Sequence, residues 1–162
     1  YPLRRQRQMC IETEVTLTEP SQDWEIDVAD LYCERDYESL ASIGWTCGDV
    51  SVQATLTEDA KDDATTLRRM VRALAMAPLP ADAPTFDGTN GALLLADAPS
   101  STAALSLDGT GEDENKDWVV TVTGKGDQAR ATTSRIWHAF GQEALPATAD
   151  AEFADFSGEL MY

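Results

Sequence analysis

Alternation of apolar and polar residues constrains the fold of this chain more than any other feature. From Met9 to Thr18 the side chains alternate in a way typical of a strand with one buried face. The same pattern predicts a strand over about residues 45–57. Short apolar runs predict further strands over 24–28, 92–96, 102–107 and 118–123.

Two segments instead carry apolar residues at helical spacing. The stronger covers about residues 59–77, where Leu67 and Val71 recur on one face and Pro78 ends the pattern. The second covers about 128–143, and a third helix is predicted over about 28–42. Together these elements predict an α+β fold, with a mainly antiparallel sheet of five or six strands covered on one face by two or three helices.

Short sequence matches suggest an internal repeat. The tetrapeptide at residues 16–19 recurs at 55–58, and an Ala-Thr-Thr triplet opens helical stretches at Ala64 and Ala131. This favours two strand-strand-helix halves that share one sheet. Chance matches in a chain rich in alanine and threonine are the alternative interpretation.

Charge divides the chain near its start. Residues 1–8 hold three arginines and no acid, which indicates a juxtamembrane or post-signal stub and an anchor upstream of residue 1. Residues 9–145 are predicted to form a single domain. We expect the tail, 146–162, to pack on that domain or to dock a partner. A net charge of −17 excludes nucleic acid as a partner, because phosphate binding needs a basic face.

The cysteines bear on localisation. Cys33 and Cys47 flank a short connection and are the candidate disulfide, with Cys10 left over. An oxidising compartment favours the extracytoplasmic face of a bacterial membrane. The arginines of the stub favour the cytoplasmic face, which stays open as the alternative.

The candidate partner-binding residues form two groups. One is a basic cluster on the stronger helix, and the other is the apolar part of the tail. A solvated helix face and ordinary core packing are the respective alternatives. The candidates are Arg68, Arg69, Arg72, Phe153, Phe156 and Tyr162.

The sequence shows no recognisable catalytic, metal or cofactor motif, so none is predicted. His138 is the only histidine, which excludes a two-histidine metal site. The acidic loop from Asp108 to Glu114 lacks the residue order of an EF-hand and is expected to be a hairpin turn. Asp82, Asp87 and Asp97 surround the proline-rich segment 78–99, yet acids are frequent everywhere in this chain.

Three functions are considered. The first is a non-catalytic accessory domain of a membrane-anchored envelope protein that binds a membrane-protein partner. The second is a module that binds a small apolar or lipid-like ligand between its helices and sheet. The third is a hydrolase that uses carboxylates, which would require two acids with strongly shifted pKa values in one cleft.

Overall fold

The computed structural model describes residues 11–19, 23–39, 41, 43–58, 62–74 and 78–157. They form one antiparallel sheet with three helices: β1 Thr13–Leu17, β2 Ile26–Arg35, β3 Ile43–Cys47, β4 Val50–Glu58, α1 Asp63–Leu74, β5 Phe86–Asp87, β6 Leu93–Asp97, β7 Thr102–Asp108, β8 Lys116–Thr123, α2 Gly126–Gly141 and α3 Ala147–Glu152. The predicted α+β class is confirmed. The predicted number of five or six strands is wrong, because this part of the chain holds eight.

The sheet consists of two meanders joined side by side. Its order is β1-β2-β3-β4-β8-β7-β6-β5, so each meander follows the chain and the two meet where β4 pairs with β8. That central ladder joins eight residue pairs, from Ser51↔Thr123 to Glu58↔Lys116. Within the first meander, β2 pairs with β3 only through Glu34↔Thr46 and Arg35↔Trp45.

The two long helices lie on opposite faces of the sheet. Alternate residues of a strand point to opposite faces, and Leu105 and Val120 belong to the same buried cluster as Ile136 of α2. Their neighbours Ala104 and Val119 pack instead with Leu67 of α1. The prediction that the helices cover one face is therefore wrong, and each helix covers only part of its face.

This arrangement bears on the suspected repeat. Each meander is followed by a helix, and each contains four strands where the sequence predicted two. If the two halves were related by a two-fold axis, that axis would exchange the antiparallel neighbours β4 and β8, and it would therefore run perpendicular to the sheet. Such an axis would place both helices on the same face, so α1 and α2 are not related in this way.

The helix predicted over 28–42 is a strand over most of its length. β2 covers Ile26–Arg35, and its pairing with β1 shifts register between Glu14 and Thr16. Opposite this shift, Asp30 has a φ of 62° and interrupts the alternation, so that Val28 and Leu31 are both buried. A β-bulge thus breaks the two-residue alternation within β2, and the segment does not show the regular pattern that predicts a strand.

α1 begins at a side-chain cap. The Asp62 carboxylate accepts hydrogen bonds from the Thr65 amide and hydroxyl, at 3.4 and 2.6 Å. The carbonyl of Asp62 accepts the first helical bond from the amide of Thr66. The Thr65 hydroxyl holds the pKa of Asp62 below its usual value.

Replacing this cap should weaken α1. We expect Asp62→Ala to lower Tm by about 2–4 °C, because the backbone amide and the hydroxyl of Thr65 lose their acceptor. Asp62→Asn should leave Tm nearly unchanged, since asparagine caps as well as aspartate. Differential scanning calorimetry of both variants measures the difference, and equal Tm values for the two would contradict a capping role.

α2 and the tail complete the main core. Ile136, Trp137 and Phe140 of α2 are buried against the sheet, and Phe153 and Phe156, which follow α3, join the same cluster. Their two rings lie 4.7 Å apart. None of the helices in the described ranges has the length and hydrophobicity of a membrane span.

Candidate carboxylate site

Three aspartates converge at one end of the sheet, on the face that carries α1. Asp108 ends β7 and lies directly opposite Asp117 of β8. Asp63 is the first residue of α1. One carboxylate oxygen from each residue lies within 4.8 Å of those of the other two. We call Asp63, Asp108 and Asp117 the carboxylate cluster.

The strand register forces two of these acids together. Side chains directly opposite each other on antiparallel strands have Cβ atoms about 4.5–5.5 Å apart, and like charges in such a pair are destabilising. On its other side, Asp117 faces Thr57 of β4, whose hydroxyl donates to the Asp117 backbone carbonyl at 3.3 Å. The Asp108–Asp117 pair therefore needs a compensating proton or cation.

The burial of Asp117 strengthens the requirement for a proton or cation at this pair. Asp117 is only 5 % exposed, and in the described part of the chain its carboxylate faces the other two carboxyl groups with no cationic side chain paired to it. Oδ1 of Asp108 is buried and, among the described residues, receives no hydrogen bond from an amide, amine or hydroxyl group. A buried ionised carboxylate without a partner is costly, since it has lost its hydration shell.

The backbone closes tightly around Asp108. Gly91 lies beside it with a φ of 77°, and a Cβ atom at that position would approach Oδ2 of Asp108 to 2.8 Å. Gly109 follows Asp108, and a Cβ atom there would clash with the carbonyl oxygen of Asp113. These two glycines let the chain fold closely around the carboxylate.

The cationic side chains nearby are engaged elsewhere. Lys116 forms an ion pair with Asp113 at 3.0 Å. On α1, Nε of Arg68 donates to the carbonyl of Ala83 at 2.8 Å, and Nε of Arg72 donates to that of Leu79 at 2.9 Å. The amino end of α1 supplies only the partial positive charge of the helix dipole.

Both Asp117 and Asp63 have raised pKa values. Burial, followed by the proximity of Asp108 and Asp63, raises the pKa of Asp117 to about 8. Burial, followed by the proximity of Asp108, raises the pKa of Asp63 to about 6. The cluster therefore holds protons at a pH where ordinary aspartates are ionised, or it binds a cation that replaces them.

The predicted basic cluster lies on α1, and its members differ in surroundings. Arg69 is exposed, whereas Arg68 and Arg72 are partly buried and bind the backbone carbonyls of the segment that follows the helix. Two of the three candidates thus have a structural contact within the chain. Their role in binding a partner stays a prediction.

The apolar candidates of the tail divide in the same way. Phe153 is fully buried and Phe156 is 5 % exposed, so both rings pack in the core. Tyr162 lies outside the described residues, as do the basic stub and Cys10.

Cys33 and Cys47 are joined by a disulfide, with Cα atoms 4.5 Å apart. They belong to neighbouring strands, and their position continues the short β2–β3 ladder.

The remaining acidic candidates are scattered. Asp82 and Asp87 are exposed, and Asp97 accepts hydrogen bonds from the Ser100 amide and hydroxyl. Asp108 is the one member of the acidic loop that belongs to the carboxylate cluster. Its partners come from distant parts of the chain, which the loop sequence does not reveal.

The surface also has concave regions with mixed linings. One, of about 460 Å³, lies between Trp24, Leu107 and Phe140 and includes polar Asn90, Thr110 and Asp113. A lining that is half polar does not match the apolar cavity expected of a lipid-binding module.

Comparison of this chain with protein-family models, curated proteins and solved structures finds no match.

Proposed function

We propose that this domain binds a divalent cation, and specifically Ca²⁺, through Asp63, Asp108 and Asp117. The observation that carries the proposal is the buried Asp117 carboxylate, which faces two further carboxylates and no paired cationic side chain in the described part of the chain. The buried Oδ1 of Asp108, which receives no hydrogen bond from an amide, amine or hydroxyl group of the described residues, adds to this support. A bound cation satisfies both groups at once.

Coordination chemistry favours calcium over magnesium at this cluster. Calcium accepts six to eight oxygen ligands in a flexible geometry, at about 2.3–2.6 Å. Carboxylate oxygens that lie within 4.8 Å of one another can contact one such ion. Magnesium demands nearly ideal octahedral geometry and releases its water reluctantly, which suits it less to carboxylates whose positions are fixed by two strands and a helix.

The expected affinity is modest. Three carboxylates supply fewer ligands than an EF-hand loop, and water completes the shell, so we expect a Kd of about 10⁻⁴–10⁻³ M, as in extracellular calcium modules. The Cys33–Cys47 disulfide is typical of oxidising compartments, where calcium reaches such concentrations. The site therefore agrees with the extracytoplasmic location expected from the cysteines, which itself stays a proposal.

The carboxylate cluster is better suited to binding a cation in a non-catalytic domain than to catalysing hydrolysis. Two acids with raised pKa values are present, as the hydrolase hypothesis requires. A substrate must, however, reach both acids, and Asp117 is too deeply buried for a glycosidic oxygen to contact it. A cation needs only a narrow approach. An accessory domain that binds a membrane-protein partner remains our proposal for the role that the cation-bound domain serves.

The test is a calcium titration of chelator-treated protein. Isothermal titration calorimetry should show one saturable site, and Tm should rise by about 4 °C when Ca²⁺ is ten times its Kd. Mg²⁺ should bind more weakly.

The matched variants are Asp117→Asn and Asp62→Asn. The first removes a ligand and should abolish saturable binding. The second removes the same charge from the neighbour of Asp63, retains the cap of α1, and should bind as the parent does. Calcium binding that survives Asp117→Asn, or its absence from the parent protein, would overturn the proposal.

A further inference from the structure

We propose that the bound cation fastens α1, together with the segment 79–83, onto the sheet. Calcium binding then determines whether the helix and this segment stay packed on the sheet or separate from it. The inference rests on the proposed cation site and assigns it a regulatory role. The geometry behind it is the distribution of the ligands: Asp63 lies on α1, whereas Asp108 and Asp117 lie on β7 and β8. A cation held by all three is a bridge between the helix and the sheet.

The apolar attachment of α1 is separate from the main core. Leu67 and Val71 of the helix pack in a small cluster of seven buried residues, which is distinct from the larger cluster under α2. The sheet contributes Leu95, Ala104 and Val119 to it. Since three of these five side chains are small or β-branched, the helix loses comparatively little buried area when it separates from the sheet.

The segment after α1 is tied to the helix. Arg68 and Arg72 bind the carbonyls of Ala83 and Leu79. Leu79 and Ala83 are also buried in the same small cluster. Helix and segment therefore form one unit, with the two arginines as its internal links, and this unit covers the outer face of β6, β7 and β8.

The carboxylate cluster lies at the amino end of the unit that α1 and the segment 79–83 form. Without a cation, Asp63 is held against two acids that share its face of the sheet. Where these carboxyl groups are ionised, repulsion between them opposes the apolar contacts of Leu67 and Val71. With Ca²⁺ bound, the same end becomes an attachment point, because the cation coordinates all three carboxylates.

The uncovered surface would be chemically distinct. Beneath the unit lie Leu95, Ala104 and Val119, beside the buried hydroxyl of Ser106, which has no hydrogen-bond partner within the described ranges. Ser106 is opposite Val119 in the sheet. Opening therefore exposes an apolar patch with one free hydroxyl group.

The experiment is amide hydrogen exchange, followed by mass spectrometry, of the chelator-treated protein with and without CaCl₂. At Ca²⁺ ten times its Kd, exchange in peptides from α1 and from β6 should slow by about tenfold. Peptides from α2, which packs on the other face, should change much less. Equal slowing in α1 and α2 would overturn the inference, because calcium would then act only on global unfolding.

Variants separate this inference from the cation site itself. Asp63→Asn should remove the calcium effect on α1 while calorimetry still detects weakened binding at Asp108 and Asp117. Asp62→Asn should behave as the parent does. Saturable binding with unchanged α1 exchange would refute the fastening role and leave the proposed function standing. Absence of binding in calorimetry would refute both.

Discussion

The cation-free protein is expected to lose stability as the pH rises from about 4 to about 8. Asp63 and Asp117 have folded-state pKa values of about 6 and about 8, above the ordinary value of 3.8. A raised pKa means that the folded protein favours the protonated acid. The stabilising contribution is therefore fully present below pH 3.8 and is lost as the pH rises through 6 and then 8.

The expected size of this loss is on the order of 2 kcal/mol, since each pKa unit corresponds to about 1.4 kcal/mol and solvent screens part of the repulsion. Urea denaturation across this pH range, in the presence of a chelator, measures it. Asp117→Asn should flatten the profile, because the amide cannot ionise. Asp82→Asn, at an exposed position outside the cluster, should retain the slope.

Calcium should reverse this pH dependence. Ca²⁺ binds the ionised carboxylates, so its stabilising effect should be largest near pH 8–9 and smallest near pH 5, where protons compete. A calcium effect that is independent of pH would contradict a site made from these three acids.

Loss of the Cys33–Cys47 bond is expected to have the largest effect on stability. A bond that closes a loop of about 15 residues contributes about 3 kcal/mol in the chain-entropy estimate. Here the bond also lies beside the weakest ladder of the sheet, where β2 and β3 share only two residue pairs. Without the disulfide, the β1–β2 hairpin is attached to the sheet by that short ladder and by α2.

The measurement is denaturant unfolding of a Cys33→Ala/Cys47→Ala double variant against the parent. The midpoint should fall by an amount that corresponds to about 3 kcal/mol. Cys10→Ala, which leaves the bond intact, is the control. Intact mass before and after reduction shows whether the parent contains the bond, and an unchanged midpoint in the double variant would contradict its stabilising role.

Local patterns predicted most of the elements. The strands expected over 92–96, 102–107 and 118–123 correspond to β6, β7 and β8. The two stronger helices correspond to α1, which is shorter than predicted, and to α2, which begins and ends two residues earlier than predicted. The strand expected over 45–57 is instead parts of two strands, β3 and β4, because Gly48 turns the chain with a φ of 66°. Gly48 and Asp49 do interrupt the alternation, because apolar residues stand at odd positions before them and at even positions after them, so the sequence held a signal of this turn.

The placement of the helices could not be predicted from these patterns. An antiparallel sheet with one apolar face needs cover on one side only, and that expectation produced the one-sided arrangement. The runs in β7 and β8 are nearly continuous, and all but the last residue of β7 and all but the two ends of β8 are buried. Such runs are typical of strands that are covered on both faces, so this signal was available in residues 102–107 and 118–122.

The carboxylate cluster was hidden for a different reason. Asp63 and Asp108 are 45 positions apart, and no motif joins them. The one local signal was Asp117, directly before the apolar run of β8 and in the alternation that buries Val119. An acid at a core position of a strand indicates a site or a shared proton, but its partners depend on the register of β7 with β8.

The position of β8 in the sheet affects how this chain folds during its synthesis. The last strand to be synthesised pairs with β4 at the centre of the sheet, more than 50 residues later in the sequence. During translation, β4 therefore has one unpaired edge until β8 has left the ribosome. We therefore expect that neither meander folds alone, so that cutting the chain within 78–90 should give two fragments that fold only when they are mixed. Pairing at such long separation is slow compared with the closure of local hairpins, so we expect formation of the central ladder to limit the rate of folding.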